Sequence, residues 1–473
     1  MDGLEISEIK YKEAIGIENA TQRIDAEYFK SDYIEKMSLL RNLNPTALVR
    51  IVRIAGGKRL PLNVNFSEYG IKYARAEDVK DKFLNVDNSP LISYQIHNIL
   101  SRYVTVYNDV LLTIVGNSIG DVAINKLHET INLTENCVRL YGEEQKVNSY
   151  LFCFLLSVYG QVQIKRETVG TAQPKLAIER IRLFKIPEFS DEFYSLIFDC
   201  VEESWQKLQC ANNVYQNVSK HFEEYISFHQ NNEQIIQVKT LSESFIETGR
   251  LDAEYYQPKY DALFDALSRL PTENLGGEDG LVFMKKSIEP GSEAYQDEGI
   301  PFVRVSDINK YSIVEPAIKL SQTIVPNIES LYPHKDTILL SKDGSVGIAY
   351  KVQEDMQIVT SSALLHLTIK DTNQVLPDYL TLVLNSQVVQ LQAERDCNGA
   401  ILQHWKPSDI EKVLIPILDM DKQKEISDKV QESFRLRKEA KRLLDNAIKA
   451  VEMAIEGSEQ TAIVWLETAK GGN

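Results

Sequence analysis

The chain has 473 residues, 43% hydrophobic and 25% charged, with a formal net charge of −16. That length suits roughly two to four domains, and the composition is that of a soluble globular protein able to bury a core in each half. The acidic balance argues against non-specific coating of nucleic acid, which needs clustered Lys and Arg against phosphate; it leaves room for a specific binder with local basic faces or a basic partner.

No apolar run approaches the ~18 residues of a membrane helix. The opening MDGLEISEIKYKEA lacks the basic-then-apolar pattern of a signal peptide, so no membrane contact and a cytoplasmic location are expected. The five cysteines, Cys137, Cys153, Cys200, Cys210 and Cys397, form no CxxC pair and have no His at zinc-ligand spacing, which predicts buried reduced thiols and no metal site.

In chain order, a mixed polar stretch leads to Arg23-Ile24-Asp25-Ala26-Glu27-Tyr28-Phe29. Apolar residues between 33 and 40 fall at helical spacing and predict a short amphipathic helix. From 60 to 145 β-branched and aromatic runs alternate with Asn, Asp, Gly and Ser, the pattern of strands joined by turns. A helical run, 150–156, precedes the polar loop Gly170-Thr171-Ala172-Gln173-Pro174-Lys175 and a segment ending in Ile186-Pro187. Between about 190 and 230 there is no Pro or Gly, and Val201, Trp205, Leu208, Tyr215, Phe222 and Ile226 trace a coiled-coil-like seam interrupted by Asn212 and Ser219.

The second half repeats this plan. Arg250-Leu251-Asp252-Ala253-Glu254-Tyr255-Tyr256 answers the first heptapeptide at an offset of 227 positions (250 − 23). Arg75 pairs with Arg304, Ser118-Ile119-Gly120 with Ser345-Val346-Gly347, Gly170 with Gly399, and Ile186-Pro187 with Ile415-Pro416. In the second seam Val430, Phe434, Leu444, Val451 and Ile455 answer Val201, Trp205, Tyr215, Phe222 and Ile226, and Lys441 answers Asn212. The fold class expected is α+β: two similar mixed α/β globules separated by a pair of long antiparallel helices in a pseudo-twofold internal repeat. A lone helix with one apolar seam needs a partner, which is why the two helices are paired.

Catalytic motifs are missing: no GxxxxGK[ST], GxGxxG after a strand, GxSxG, HExxH or Asn-Pro-Pro-aromatic sequence occurs. Asp25 with Glu27, and Asp252 with Glu254, resemble acid/base pairs, but a place at a helix start with an Arg two residues before each Asp favours capping and ion pairing. The turns Gly116-Asn117-Ser118-Ile119-Gly120 and Asp343-Gly344-Ser345-Val346-Gly347 read as tight turns or as phosphate cradles. The loop 170–175 and its counterpart 399–406 carry Gln and Lys, which read base edges or contact phosphate, and Lys165, Arg166 and Arg395 lie just before them. A solvated polar loop is the alternative.

Taken together, the paired RxDAEYY openings, the Ser-[IV]-Gly turns, the Gly-Thr-Ala-Gln-Pro-Lys-Leu segment (170–176), and the Ile-Pro strand before a long helix resemble the specificity subunit of type I restriction–modification enzymes. The resemblance spans almost the whole chain; the second copy departs from the Gln-Pro spelling. It implies an N-terminal segment near the helical spacer (1–22), target recognition domains at 23–188 and 233–417, helical spacers at 189–232 and 418–458, and a tail at 459–473. It further implies a non-catalytic subunit without cofactor or metal that reads one half of a bipartite asymmetric double-stranded DNA target with each domain. The helical pair would set the gap and dock two methyltransferase subunits, with a restriction/translocase subunit as an optional further partner. The DNA contacts expected are Arg75, Asn117, Ser118, Lys165, Arg166, Gln173 and Lys175 in the first half, and Arg304, Lys342, Ser345, Arg395, Gln403, His404 and Lys406 in the second. The competing expectation is a pseudo-symmetric protein scaffold without DNA specificity.

Overall fold

The computed structural model describes residues 8–15, 21, 23–170, 172–227, 238–246, 248–324, 326–397 and 403–471. The chain divides into two compact units, residues 1–208 with 438–473, and residues 209–437. The long helices, Asp191–Ile226 and Met420–Glu456, lie within the expected spacer segments, yet each unit incorporates part of both. Most of the segment 1–22 falls outside the described residues, apart from a short helix at Tyr11–Ile15.

In the first unit the heptapeptide forms a 3-10 turn, Ala26–Phe29, capped by Asp25, whose carboxylate accepts from the Tyr28 N–H at 3.2 Å. The helix Ser31–Asn42 follows and buries Tyr33, Met37 and Leu40, the face its periodicity predicts. An antiparallel sheet orders the strands Arg53–Gly56, Cys137–Tyr141, Val110–Thr113 and Val122–Ile124. Side chains alternate across a strand, so Val110 and Leu112 enter the main core while Leu111 enters a smaller cluster with Leu84, Ala123 and Leu133. A second sheet runs Leu91–Ile92, Ile71–Ala74, Ile131–Leu133 and Val104–Thr105, with a parallel pairing of Tyr73 to Asn132. The main core fills the space between the first sheet, the helix Gln145–Leu156, and the two long helices, where Phe193, Ile197, Val201, Leu444, Val451 and Ile455 are buried. Burying each such side chain fully contributes about 1.5–3 kcal/mol.

The second unit repeats the strand order of the main sheet, while its second sheet runs Tyr295–Gln296, Lys319–Leu320, Ile300–Val303 and Val359–Thr360. Val282–Lys286, Leu364–Ile369, Ile338–Ser341 and Ala349–Lys351 make the main sheet, and the parallel pairing recurs between Phe302 and Val359. Hydrogen bonds recur as well. The buried Tyr150 hydroxyl donates to the Pro187 carbonyl at 2.7 Å, and Tyr379, 229 positions on (379 − 150), donates to Pro416 at 2.7 Å. Gln163 Nε2 donates to Lys185 O at 3.0 Å, as Gln392 does to Leu414 O at 3.0 Å. These polar tethers seat each Ile-Pro strand, whose prolines cannot donate.

Within the first unit the two long helices run antiparallel, with Ser204 Oγ donating to Ala440 O at 2.7 Å and Lys207 paired to Glu439 at 2.8 Å. Within the second unit Ser433 Oγ donates to Ala211 O at 2.8 Å, and Lys422 lies 4.7 Å from the Tyr225 ring centre. Ser204 and Ser433 are equivalent, as are Ala211 and Ala440 (433 − 204 = 440 − 211), so the serine-to-alanine contact is itself duplicated. Of the expected seam, Val201, Tyr215, Phe222 and Ile226 are buried, and Trp205 packs against Phe83 with ring centres 5.2 Å apart and ring planes tilted by 43°. Asn212 accepts from Arg437 at 2.5 Å. Lys441, however, points to solvent and pairs with Asp445 at 3.0 Å, and the buried position beside it belongs to Ala440.

Two further expectations are corrected. The tail 459–473 carries a helix, Glu459–Gly471, whose Ala462, Ile463 and Leu466 join the core of the first unit. Among the thiols, all free, Cys137, Cys153 and Cys200 are buried but Cys210 is exposed and Cys397 half-buried. Among the described residues no helix is long and apolar enough to cross a membrane, and no group of His, Cys, Asp or Glu is placed to hold a metal ion.

Candidate nucleic-acid interface

Each unit joins its glycine turn to its polar loop through backbone hydrogen bonds. In the first unit the Gly116 N–H donates to Pro174 O at 3.2 Å and the Leu176 N–H to Ile114 O at 2.9 Å. The loop closes on itself where Val169 and Lys175 exchange bonds of 2.9 and 2.8 Å. In the second, the Gly344 N–H donates to Gln403 O at 3.0 Å and the Trp405 N–H to Lys342 O at 2.8 Å. Of the two readings of these turns, the tight turn accounts for what Gly116 and Gly344 do, since their amides bind the neighbouring loop.

The turns need glycine at their ends. Gly120 has φ +99 and Gly347 φ +84, in the left-handed region that side chains disfavour. A Cβ on Gly347 would also stand 2.8 Å from the Gln390 amide, which donates to the Gly347 carbonyl at 2.7 Å. Gln161 does the same for Gly120 at 2.9 Å.

Arg75 and Arg304 occupy matching places where a strand meets a 3-10 turn. The Arg75 N–H donates to Asp78 Oδ2 at 2.6 Å and the Arg304 N–H to Asp307 Oδ2 at 2.9 Å. Their side chains are 41% and 42% exposed, enough to serve a ligand, while pairing locally with Glu77 and Asp307 respectively. Gln173, Lys175, Gln403, His404 and Lys406 are exposed, as are Lys165, Asn117 and Ser345; Ser118 is half-buried. Gly399, Ala400, Ile401 and Leu402 of the second loop, and Thr171 of the first, lie outside the described residues.

Three candidates are engaged inside the chain. Lys342 is buried and ion-paired with Asp343. Arg166 donates through Nε to Tyr28 O at 3.0 Å with its guanidinium 3.8 Å from that ring, and burial lowers its pKa. Arg395 pairs with Asp396 at 2.8 Å and packs over Phe264 and Tyr255.

In the second unit Arg304, Gln403 and His404 meet in an open cleft of about 490 Å³, together with Asp343, Glu289 and Tyr295. The His404 Nδ1 is held by the Asp343 carboxylate. This lining mixes donors and acceptors of both charge signs. Such a set suits base edges, where Arg and Gln read purines and carboxylates accept from the cytosine amine, better than it suits phosphate alone. Sequence reasoning missed Glu289 and Tyr295, which lie far from any motif. It also missed that Trp405, wholly buried between two exposed candidates, anchors the loop; the polar–apolar–polar alternation of His404, Trp405 and Lys406 was the available signal.

A family model for the type I restriction modification DNA specificity domain matches residues 47–188 and 282–449. Among solved structures, the S subunit of a type I restriction–modification system from M. genitalium is similar over 89% of this chain and 95% of its own, at 13% identity and a TM-score of 0.35. An HsdS subunit from Thermoanaerobacter tengcongensis is similar over 87% and 96%, at 14% identity and 0.28. The type IIG restriction endonuclease BpuSI is similar over 39% of this chain and 29% of its own, at 12% identity and 0.30. No curated protein sequence matches the chain.

Proposed function

The chain belongs to the type I restriction–modification DNA specificity family, and we propose that each of its two units reads one half of a split, asymmetric DNA target. It is a DNA-recognition subunit. The observation that carries the bipartite reading is the duplicated joint of glycine turn and polar loop, with an exposed arginine at the equivalent strand end in each unit. Arg75, Gln173 and Lys175 read one half-site; Arg304, Gln403, His404 and Lys406 read the other. Asn117, Ser118, Ser345 and Lys165 stand beside them as phosphate or sugar contacts, while Arg166, Arg395 and Lys342 hold the reading elements in place.

Methylation and cleavage are carried by partners in this reading. Two methyltransferase subunits dock along the paired helices in the cytoplasm, and a restriction/translocase subunit joins them. The helices act as a ruler for the gap, since half-sites read from one face of a duplex lie about one helical turn, 34–36 Å, apart or a multiple of it.

The test is selection from duplexes with a randomised window, using the full chain copurified with methyltransferase subunits. Two short conserved blocks separated by a fixed gap are expected; a bound pool indistinguishable from the input refutes the reading. Inserting four residues after Leu208 and four after Arg437 adds about 6 Å of helical rise. It should change the gap and leave both blocks the same.

A further inference from the structure

The RIDAEYF stretch grips the root of the first unit's polar loop. Arg23 Nη1 donates to the carbonyls of Arg166 at 2.5 Å and Thr168 at 3.0 Å. Its Nε and Nη2 hold the two oxygens of Asp25 at 2.7 and 2.6 Å, and only 12% of the side chain is exposed. Arg166 returns the contact through the Tyr28 carbonyl and ring. The carbonyls at the end of a helix have no donor within it. Here the helix Val158–Glu167 ends under a guanidinium, a favourable charge for that terminus. Val169, the next residue after Thr168, is where the loop bearing Gln173 and Lys175 closes on itself.

The second unit repeats the grip's parts. Arg250 holds Asp252 through Nε at 2.8 Å and Nη2 at 2.5 Å, and Arg250 and Arg395 flank the Tyr255 ring at 4.4 and 5.0 Å. Arg395 is the residue equivalent to Arg166 (395 − 166 = 229).

We propose that Arg23 is a positioning residue for DNA reading: oriented by Asp25, it caps the Val158–Glu167 helix and so sets where Gln173 and Lys175 stand against the bases. The proposal rests on the reading above, that this loop touches DNA. Arg23→Ala leaves two carbonyls without their donor, and Arg23→Lys cannot hold two carbonyls and both carboxylate oxygens at once.

The experiment is the same duplex selection, run on the full chain with its methyltransferase subunits, for wild type, Arg23→Ala, Arg23→Lys and Gln173→Ala, each with a thermal melt. Arg23→Ala should lose discrimination on the order of tenfold across several positions of the first block, with the second block intact. Gln173→Ala should relax one position, the scale of a lost bidentate base contact. A purely structural role would lower the melting temperature without altering the ratio of selection between blocks; that result, in both Arg23 variants, overturns the proposal. If Arg23→Ala does not fold, Arg23→Lys decides by the same ratio. Should wild type select no sequence, the DNA reading and the proposal fall together; should Gln173→Ala shift the first block while both Arg23 variants keep it, the proposal alone falls.

Discussion

Replacing Glu202 by alanine should destabilise the first unit by about 3–5 kcal/mol, the usual cost of orphaning one half of a buried ion pair. Lys126 has no exposed side-chain surface, and its ammonium donates to Asn108 Oδ1 at 2.5 Å and to the Glu202 carboxylate on the first long helix. The rings of Tyr107 and Phe198 close over it at 5.2 and 5.7 Å. Burial already holds the Lys126 pKa below the ordinary lysine range. Without Glu202 the lysine can escape by releasing its proton, which at pH 7 costs no more than about 4.6 kcal/mol from a reference near 10.4 at about 1.36 kcal/mol per unit. Because the folded pKa is depressed, the unfolded chain binds more protons between the two values, so the variant's deficit should shrink as pH rises toward 10. Lys126→Met should cost less, since Glu202 is 19% exposed and can turn to water. Urea unfolding of the full chain, followed by the signal of the first unit, gives both numbers. A Glu202→Ala loss below about 1 kcal/mol, or one no greater than that of Lys126→Met, would refute the burial-and-pairing account.

Two other outcomes are expected. His366 lies buried on the strand Leu364–Ile369 with Nε2 2.8 Å from the Thr360 hydroxyl, and burial with nearby Lys285 takes its pKa down to about 4. The second unit should therefore lose up to about 3 kcal/mol as pH falls from about 6.5 to about 4, because only the unfolded chain takes the proton in that window; urea titrations should show His366→Gln removing that slope. Trp405→Ala should cost about 3–5 kcal/mol and Leu176→Ala, at the equivalent place, about 2–5 kcal/mol. Each should blur only its own block in duplex selection, and equal blurring of both would count against separate readers.

The duplication was legible because it rests on residues that face inward. The Ile-Pro strands, the tyrosines that tether them and the apolar seam repeat at nearly constant offset, and the core clusters use the same positions in both units. The glycine turns and the polar loops were legible as motifs, but their hydrogen-bonded joint was not, since it links residues some sixty positions apart, as in the bridge of Asp343 to His404. Charge misled most. Arg166 and Lys342 look like free cations in a polar context, whereas one lies against Tyr28 and the other is buried beside Asp343. A sequence shows that a charge is present; only packing shows whether its partner is already in the chain. The helical tail was missed for a related reason, because Ala462, Ile463 and Leu466 stabilise a helix through the core they join rather than through propensity.

The same distinction explains why two units with one frame should read different bases. Residues that bind backbone or core have little freedom: Arg75 and Arg304 keep their capping aspartates, and Gln161 and Gln390 keep their glycine carbonyls. Where the frame faces solvent the copies diverge. Val115, which bridges Lys175, stands where the second unit has Asp343, which bridges His404, and Lys175 stands where it has His404 (404 − 175 = 229). The first unit thus offers an exposed ammonium beside Gln173, a donor set suited to guanine or phosphate. The second offers an imidazole held by a carboxylate, with Glu289 across the cleft as a further acceptor. Donor and acceptor patterns that differ at equivalent positions favour different base edges, so a frame that is nearly symmetric is expected to select an asymmetric target.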